Sequence, residues 1–370
     1  MTTRQDPVKV LHVFGRLERG GAELRTLELA EAFQRDCVRS DFLVLSGLDG
    51  ILDDRVEQLG GRVIKCRLDA RFPGGFRRLL REGRYDVVHS HVHYFSGPIL
   101  MAARLAGVRS RVAHFHTAIV NDRSDTRRRR AQLAVCRALL HRAATDIVAV
   151  GEGAMNAWSP RWPADPRCRI IPQGVRVDRL RRVERVRGRT PTVVNVASIQ
   201  PLKNQLRLVN VLRRLVTKIP DVQVQLVGRE VGDYGQQVRS AVASAGLSDH
   251  LTFVGEVNEP ISLIASSHLM ILPSLWEGVP CAVLEACAVG TPVLASDLPG
   301  TRELGRHFPH LQVLSLQQDD ETWAAAAANL IRQEAPGAVE AEQFLARSPF
   351  VFDRSREAHY EIWRRSRALA

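Results

Sequence analysis

The segment HLMILPSLWEGVPCAVLEACAVGTPVLAS, residues 268–296, holds two short apolar runs separated by a loop and a helix-forming run. HLMILPS and TPVLAS have the length and composition of buried strands. Pro280 lies where a first helical turn begins, and Gly290 is placed to end that helix. A strand, a helix and a second strand of these lengths form a βαβ unit, so this segment predicts a parallel sheet.

The same alternation extends over the whole chain and predicts two domains. Strand-like runs occupy residues 8–14, 41–45, 62–65, 86–91, 111–116 and 146–150 in the first half, and residues 192–197, 222–228 and 251–255 precede the segment above in the second. We therefore expect an α/β protein with two Rossmann-like, doubly wound parallel sheets that face each other across a cleft. The expected domains are residues 1–185, joined by a C-terminal crossover helix at about 350–370, and residues 190–349, with the charged stretch 176–191 as linker.

Charge is divided unevenly between the two halves. Residues 1–190 carry a net charge of +15, and residues 191–370 carry −3. A basic half indicates an anionic partner, and a membrane surface or a phosphate-bearing acceptor fits better than nucleic acid, because the basic half lacks interleaved aromatic residues. A solvated face without a partner is the plain alternative.

Composition also narrows the expected location. No apolar run approaches the ~20 residues of a membrane span, and the first residues lack an apolar signal segment. The six cysteines form no CxxC pair, as is typical of reduced thiols. We expect a cytoplasmic protein that contacts the inner face of the cell membrane peripherally.

Two acidic residues of the first segment are candidates for ligand binding. Glu277 is expected in a loop at the carboxyl end of a strand, just before a helix N-terminus, where backbone N–H groups favour an anion. Glu285 lies among apolar residues within the helix, and a carboxylate there can accept hydrogen bonds from the two hydroxyls of a ribose. The alternative is that both are solvent-exposed acids at a helix start.

Five motifs in order resemble one family of enzymes. The segment from residue 274 to 296 resembles the E-x7-E signature of retaining GT4 glycosyltransferases, which have the two-domain GT-B fold. GGAE after the first strand, IIPQGVRVD at 170–178 and PLKNQ at 201–205 are similar to the family's glycine loop, "PNGVD" and "pEKN" segments. DVVHSH and GVRSRVAHFHTA resemble members that assemble exopolysaccharides and capsules.

The resemblance implies an activity. The enzyme would move a sugar from a nucleotide-diphosphate sugar, UDP- or GDP-linked, to a glycan or lipid-linked glycan. Transfer would keep the anomeric configuration by front-face attack, with no metal and no cofactor. Two other functions stay open: a GT-B sugar-nucleotide epimerase or hydrolase, and a non-catalytic binder of nucleotide sugars or nucleic acid.

The resemblance also assigns roles to individual residues. Glu285 would bind the ribose, Glu277 would face the sugar, and Lys203 would neutralise the diphosphate. His116 would hydrogen-bond a sugar hydroxyl, with His114 as its competitor. The implied catalytic residues are His116, Lys203 and Glu277, and the implied donor-binding residues are Gly20, Gly21, Ser198, Lys203, Gly228, Val257, Glu277, Gly278, Val279, Leu284 and Glu285.

The sequence departs from the family at Ser198, where members usually have an arginine. We expect either Arg229 or backbone N–H groups to supply the missing phosphate contact.

Two further groups of residues complete the expectations. Three histidines at 89, 91 and 93 alternate along a strand end, but without a nearby carboxylate or thiolate they favour no metal site. The acceptor or a membrane is expected at the basic residues Arg77, Arg78, Arg81, Arg127, Arg128, Arg129 and Arg130.

Overall fold

A computed structural model describes residues 6–33, 38–69, 71–117 and 126–368 of the chain. The chain forms two compact units, Met1–Gln173 with Asp353–Ala370, and Gly174–Phe352. The division falls before the charged stretch 176–191, because Val175 already belongs to the second unit. Its N–H donates to the carbonyl of Phe350 at 2.9 Å, and its carbonyl accepts from the N–H of Phe352 at 3.1 Å.

The first unit is built on a seven-stranded parallel sheet with strand order β3-β2-β1-β4-β5-β6-β7. Its elements are β1 (Val8–Phe14), α1 (Gly21–Phe33), β2 (Val38–Val44), α2 (Asp53–Gln58), β3 (Val63–Lys65), α3 (Phe72–Gly83), β4 (Val87–Ser90), α4 (Ser96–Leu105), β5 (Ser110–Phe115), α5 (Arg127–Ala143), β6 (Asp146–Ala149), α6 (Glu152–Trp158) and β7 (Cys168–Ile170).

The second unit repeats the plan with six parallel strands in the order β10-β9-β8-β11-β12-β13. Its elements are α7 (Val177–Leu180), β8 (Thr192–Val196), α8 (Gln205–Val216), β9 (Gln223–Val227), α9 (Tyr234–Ser244), β10 (Leu251–Gly255), α10 (Ile261–Ser266), β11 (Leu269–Leu272), α11 (Cys281–Ala288), β12 (Val293–Ser296), α12 (Pro299–Gly305), β13 (Leu311–Leu314), α13 (Asp320–Arg332) and α14 (Ala338–Arg347).

The last helix, α15 (Phe352–Ala368), returns to the first unit. Trp363 is fully buried there, with its ring 5.1 Å from that of Phe33 on α1. Its indole N–H reaches His89 on β4. These contacts make the last helix part of the core of the first unit.

Each sheet has one point at which the strand order reverses. In the first sheet this point lies between β1 and β4, and in the second between β8 and β11. Helices on either side of such a point leave the sheet on opposite faces, which opens a crevice at the carboxyl ends of the two strands. The prediction of two doubly wound parallel sheets is confirmed, and each sheet has one expected position for a ligand.

In the part of the chain that the structure describes, no helix has both the length and the apolar character that a membrane crossing requires. The five cysteines within those ranges are unpaired thiols, and Cys37 lies outside them.

Candidate active site

The crevice of the second sheet is flanked by a cation and an anion in contact. Lys203 ends a 3-10 turn that follows β8, and Glu277 lies in the loop that follows β11. Lys203 Nζ lies 2.6 Å from Glu277 Oε1, and the Ser274 hydroxyl donates to the same oxygen at 2.7 Å. The Glu277 side chain is only 9% exposed. The pair is therefore largely shielded from water, in contrast to an ordinary surface ion pair.

Backbone contacts hold the 3-10 turn against the loop. Asn204 has a left-handed backbone with φ of 57°, which amide side chains tolerate better than most. Its Nδ2 donates to the carbonyl of Pro273 at 3.1 Å, and the N–H of Leu275 donates to the carbonyl of Leu202 at 2.9 Å. These bonds fix Lys203 beside Glu277, although 74 residues separate them in sequence.

Gly300 packs against the other side of the loop that holds Glu277, and it was not predicted from the sequence. A Cβ at Gly300 would lie 1.5 Å from the carbonyl oxygen of Gly278 and 3.1 Å from the Cα of Val279. No other residue fits at that position without moving the loop. The Pro-Gly pair at the start of α12 was the available signal.

Helix α11 presents one accessible face and one buried face. Cys281, Ala282 and Glu285 keep partial access to water, while Leu284 is completely buried. Positions i, i+1 and i+4 share a side of a helix, so Glu285 lies on the accessible side. Pro280 at the helix start supplies no side-chain cap. The N–H groups at the start of a helix favour an anion. Leu284 packs in the core, and its side chain cannot meet a ligand.

The remaining donor-binding candidates lie at the carboxyl ends of β8, β9 and β10. The Ser198 hydroxyl accepts a hydrogen bond from Gln200 Nε2 at 2.7 Å, so it already has a hydrogen-bond partner. A Cβ at Gly228 would lie 2.1 Å from the carbonyl oxygen of Ala197, so this glycine permits the close approach of β9 to the Ser198 segment. Arg229 is exposed directly after β9, and Val257 follows β10 with partial exposure. Arg229 is thus at the same edge of the sheet as Ser198.

The crevice of the first sheet has a different chemistry, because imidazoles converge there. His12 lies on β1, His89 on β4 and His114 on β5, while His91 and His116 directly follow the last two strands. His359 of α15 joins the group, with its ring centroid 5.5 Å from that of His114. Each pair spaced by two along a strand lies on one face, so neighbouring strands stack their rings. Four of the six side chains are buried: His12, His89, His114 and His359.

Hydrogen bonds connect these rings into two chains. In one, the Trp363 indole N–H donates to His89 Nδ1 at 3.2 Å, and His89 Nε2 lies 3.2 Å from His114 Nδ1. In the other, Gln173 Nε2 lies 3.3 Å from His116 Nδ1, His116 Nε2 lies 2.9 Å from His91 Nδ1, and His91 Nε2 lies 3.2 Å from His12 Nδ1. Both ring nitrogens of His116 are therefore engaged within the first unit.

Burial keeps the rings of this cluster neutral. Desolvation, aided by His359, lowers the pKa of His12 to about 3, although the charge of Asp41 opposes the shift. Desolvation likewise lowers the pKa of His359 to about 4, and holds the pKa values of His89 and His114 well below the ordinary value of 6.5.

Of the three alternating histidines, His89 and His91 stack on each other, and His93 departs from them. Strand β4 ends at Ser90, and His93 opens a 3-10 turn with φ of 53°. Among the residues that the structure describes, three overlapping triplets have ring nitrogens within 4.8 Å of one another, and the triplets are His12, His89 and His91; His89, His114 and His359; and His91, His114 and His116.

The glycine loop after β1 carries acidic neighbours. Gly20 and Gly21 lie at the start of α1, and the carboxylate of Glu23 covers Gly20. Burial and the neighbouring Glu18 raise the pKa of Glu23 to about 7. A phosphate that approached these glycines would meet two carboxyl groups.

Helix α3 separates apolar and basic residues completely. Phe72, Phe76 and Leu80 are buried, and the arginines 77, 78 and 81 are exposed. At the start of α5, the arginines 127, 128 and 130 are exposed, and Arg129 is half-buried with its guanidinium 5.8 Å from the ring centroid of Phe95. Cations at a helix N-terminus interact unfavourably with the helix dipole, so the charge of this run opposes the dipole of α5.

Two family models match consecutive parts of the chain. The model for glycosyltransferase family 4 matches residues 19–179, and the model for glycosyl transferases group 1 matches residues 177–343. The chain is a GT4-type glycosyltransferase. It is 29% identical over 331 residues to the capsular polysaccharide biosynthesis glycosyltransferase CapH of Staphylococcus aureus, covering 88% of this chain and 92% of CapH.

Two more relatives extend the comparison. The phosphatidyl-myo-inositol mannosyltransferase of Mycobacterium leprae is 27% identical over 305 residues, covering 78% of this chain and 77% of that protein. The crystal structure of Anabaena HepE in complex with UDP matches with a TM-score of 0.79 at 19% identity, covering 96% of this chain and 98% of HepE. The structural match shows that this chain has the GT-B fold.

Proposed function

We propose that this glycosyltransferase moves a sugar from a nucleoside-diphosphate sugar to a glycan or lipid-linked glycan, with retention of configuration and without a metal. The observation that carries the proposal is the shielded Lys203–Glu277 pair at the switch point of the second sheet. The HepE structures hold UDP and UDP-glucose, which supports a nucleotide-sugar donor for a chain of the same fold.

The pair supplies charges of both signs for the transfer step. As the bond between the anomeric carbon and the phosphate oxygen breaks, negative charge grows on the diphosphate, and the Lys203 ammonium stabilises it. Positive charge grows on the sugar ring, and the Glu277 carboxylate accepts hydrogen bonds from its hydroxyls. The acceptor hydroxyl bonds to the anomeric carbon on the same face, and its proton passes to the departing phosphate oxygen.

Other residues complete donor binding in this proposal. Glu285 binds the ribose from the accessible face of α11, and the N–H groups at the start of that helix hold phosphate oxygens. Arg229 replaces the arginine missing at Ser198. The family resemblance assigns the orientation of the sugar to His116, whose ring would have to give up one of its present hydrogen bonds for that role.

Donor binding is tested first, by thermal unfolding with UDP, GDP and their glucose and mannose derivatives. A ligand present at about 100 times its Kd stabilises the protein by about 2.7 kcal/mol. We expect one nucleotide to raise the melting temperature clearly above the other. No stabilisation by any of them would refute the donor assignment.

Variants then separate binding from chemistry. Glu277→Gln removes the charge that neutralises Lys203, so UDP binding should be kept or strengthened while sugar transfer collapses. Lys203→Met should lose both. The Lys218–Glu321 pair, with 2.5 Å between Nζ and Oε1, is a matched control in the same unit, and Lys218→Met should change neither.

The reaction type is read from the product. Anomeric proton couplings in the NMR spectrum distinguish retention from inversion, and activity after EDTA treatment tests metal independence. Turnover of the donor without any acceptor would favour the epimerase or hydrolase alternative.

We also propose that the exposed arginines of α3 contact an anionic membrane. Each is worth about 1 kcal/mol on an anionic leaflet, so replacing Arg77, Arg78 and Arg81 by serine should weaken vesicle binding about 100-fold. Sedimentation with phosphatidylglycerol and phosphatidylcholine vesicles measures this effect. Arg213 and Arg214, exposed on α8, provide a control double variant. Equal binding to both vesicle types would refute the membrane contact.

A further inference from the structure

The first unit has a cavity at the edge of its sheet opposite to the histidine crevice. The cavity has a volume of about 630 Å³, which is within the usual range of small-molecule sites. Its walls are the C-terminal end of α5, the C-terminal end of α6 and residues 159–166, which lead into β7. Helix α5 likewise leads into β6, so the cavity lies at the amino ends of β6 and β7. Its lining residues lie outside the proposed transfer site.

Most of the lining surface is apolar, and hydrogen bonds hold the aromatic walls in place. Trp158 is buried, and Trp162 is half-buried with its indole N–H donated to Asn156 Oδ1 at 3.0 Å. The backbone N–H of Trp162 donates to the carbonyl of Ser159 at 3.1 Å, and that of Asp165 donates to the carbonyl of Trp162 at 2.9 Å. A site whose walls are already ordered loses little conformational entropy when a ligand binds.

Two positive charges line the cavity, those of Arg137 and Arg161, and neither forms an ion pair within the part of the chain that the structure describes. The Arg137 guanidinium is held in place, because it donates to the carbonyl of Trp158 and lies 5.4 Å from the centroid of that ring. The acid of the lining, Asp165, is already neutralised by Arg167, which donates to its two oxygens at 2.9 and 2.7 Å. The cavity therefore favours an anion.

A third side chain of the lining offers a hydrogen-bond donor. His141 Nδ1 lies 3.1 Å from an Nη atom of Arg167, and a guanidinium can only donate. The neutral ring of His141 therefore carries its proton on Nε2. Donors and positive charge together suit an anionic group with several acceptor oxygens.

We propose that this cavity binds one phosphate monoester of an apolar alcohol. Such a phosphate has a charge of about −1.5 to −2 at pH 7 and three acceptor oxygens, which matches the charges of Arg137 and Arg161. The apolar walls cover the hydrocarbon part, and each buried CH₂ group tightens binding about fourfold. Inorganic phosphate lacks the second contribution, and a neutral amphiphile lacks the first.

The test is calorimetric titration with decyl phosphate below its critical micelle concentration. We expect one molecule to bind per chain. Octyl phosphate, which is shorter by two CH₂ groups, should bind about 15-fold more weakly. Decanoate, which has a single charge, should bind at least about 10-fold more weakly. Inorganic phosphate and decyl maltoside should show no saturable binding at the same concentrations.

Two variants and two matched controls locate the site. Ala138→Phe places a ring in the cavity and should weaken decyl phosphate binding by at least about 10-fold, whereas Ala134→Phe, one turn earlier on α5 and outside the lining, should not. Arg161→Ser should weaken it about 10-fold. Arg109→Ser removes an exposed charge of the same unit outside the lining and should have no effect. All four positions are exposed, so urea unfolding should show that each variant is folded.

The outcomes decide the proposal without reference to sugar transfer. Absence of decyl phosphate binding, several molecules bound per chain, or binding that survives both Ala138→Phe and Arg161→Ser overturns the site. Equal affinity for decanoate overturns the assignment of the head group as a phosphate. One molecule per chain, weakened by these two variants and by neither control, upholds the proposal.

Discussion

Acid should unfold the first unit at a pH at which the second remains folded. Four imidazoles of the first unit, those of His12, His89, His114 and His359, are buried and neutral in the folded protein. In the unfolded chain each titrates near its ordinary pKa of 6.5. Below that pH the unfolded chain binds more protons than the folded one, so the free energy of unfolding falls as pH decreases.

The magnitude follows from the size of each shift. Above pH 6.5 the four residues do not lower the free energy of unfolding. Between pH 6.5 and its folded-state pKa, each residue lowers that free energy by about 1.4 kcal/mol per pH unit. At about pH 5.5 the loss is ~1.4 kcal/mol per residue, or ~5–6 kcal/mol for the four together. A domain is typically stable by about 5–15 kcal/mol, so this loss is a large part of the total. Desolvation also lowers the pKa of His116 to about 3 and holds the pKa of His91 well below its ordinary value, so both residues add to the loss.

The assay is hydrogen exchange with peptide resolution, combined with urea unfolding, at about pH 7.5, 6.5 and 5.5 in the presence of EDTA. We expect the protection of β1, β4 and β5 to fall with pH, while β8, β11 and β12 keep theirs. The second unit serves as an internal reference because its four histidines, His250, His268, His307 and His310, all keep partial access to water. Desolvation lowers the pKa values of the last three, so we expect a smaller loss there than in the first unit.

A variant isolates the contribution of one residue. His12→Gln should recover about 1.4 kcal/mol of the stability difference between pH 7.5 and pH 5.5, whatever its effect at neutral pH. His141→Gln, at an exposed position, should leave that difference unchanged. A native difference below about 1.5 kcal/mol would show that the folded cluster accepts protons, and would refute the reasoning.

Two further predictions concern packing. Gly300→Ala should cost about 1–3 kcal/mol of unfolding free energy and weaken donor binding, because the new Cβ would lie 1.5 Å from the Gly278 carbonyl oxygen. Gly305→Ala on the same helix is the control, because a Cβ there has no neighbouring atom nearer than 3.8 Å. Equal effects of the two variants in urea unfolding would contradict the argument. Trp363→Phe should lower the free energy of unfolding by about 1–3 kcal/mol at neutral pH, because it leaves a buried imidazole nitrogen unpaired. Trp323→Phe loses a hydrogen bond of 3.2 Å to a backbone carbonyl and should cost a similar amount. An unchanged urea midpoint for Trp363→Phe would show that the indole hydrogen bond contributes no stability.

Most strands were predictable from the sequence, but two of the four edge strands were not. β1 and β10 begin and end where their apolar runs predicted. β7 and β13 were missed, and each lies at the edge of its sheet. All three residues of β7 are only half-buried. An edge strand is covered on fewer sides, so its sequence does not need a continuous apolar run, and β7 and β13 lacked the run that identified the edge strands β3 and β10.

The residues of the site were predictable one by one, but not their contacts. Lys203 and Glu277 each follow a strand in a recognisable motif, yet their contact depends on β8 and β11 being neighbours. Strand order is a property of the whole sheet, and no local pattern encodes it. For the same reason the histidine cluster was not foreseen, because His12 and His359 join it from opposite ends of the chain.

The two switch points differ in how their polar groups are compensated. At the second, Lys203 and Glu277 compensate each other's charge. The diphosphate of the proposed donor would therefore need further positive partners, and the start of α11 and Arg229 are the ones proposed above. At the first, neutral imidazoles bond mainly to one another, and buried nitrogens of His12, His114 and His359 have no hydrogen-bond partner. Leaving such groups unpaired costs about 1–3 kcal/mol each, which a structure accepts only where another requirement fixes the residues. The switch point of the first unit therefore carries a cost in stability that the compensated charge pair of the second unit does not.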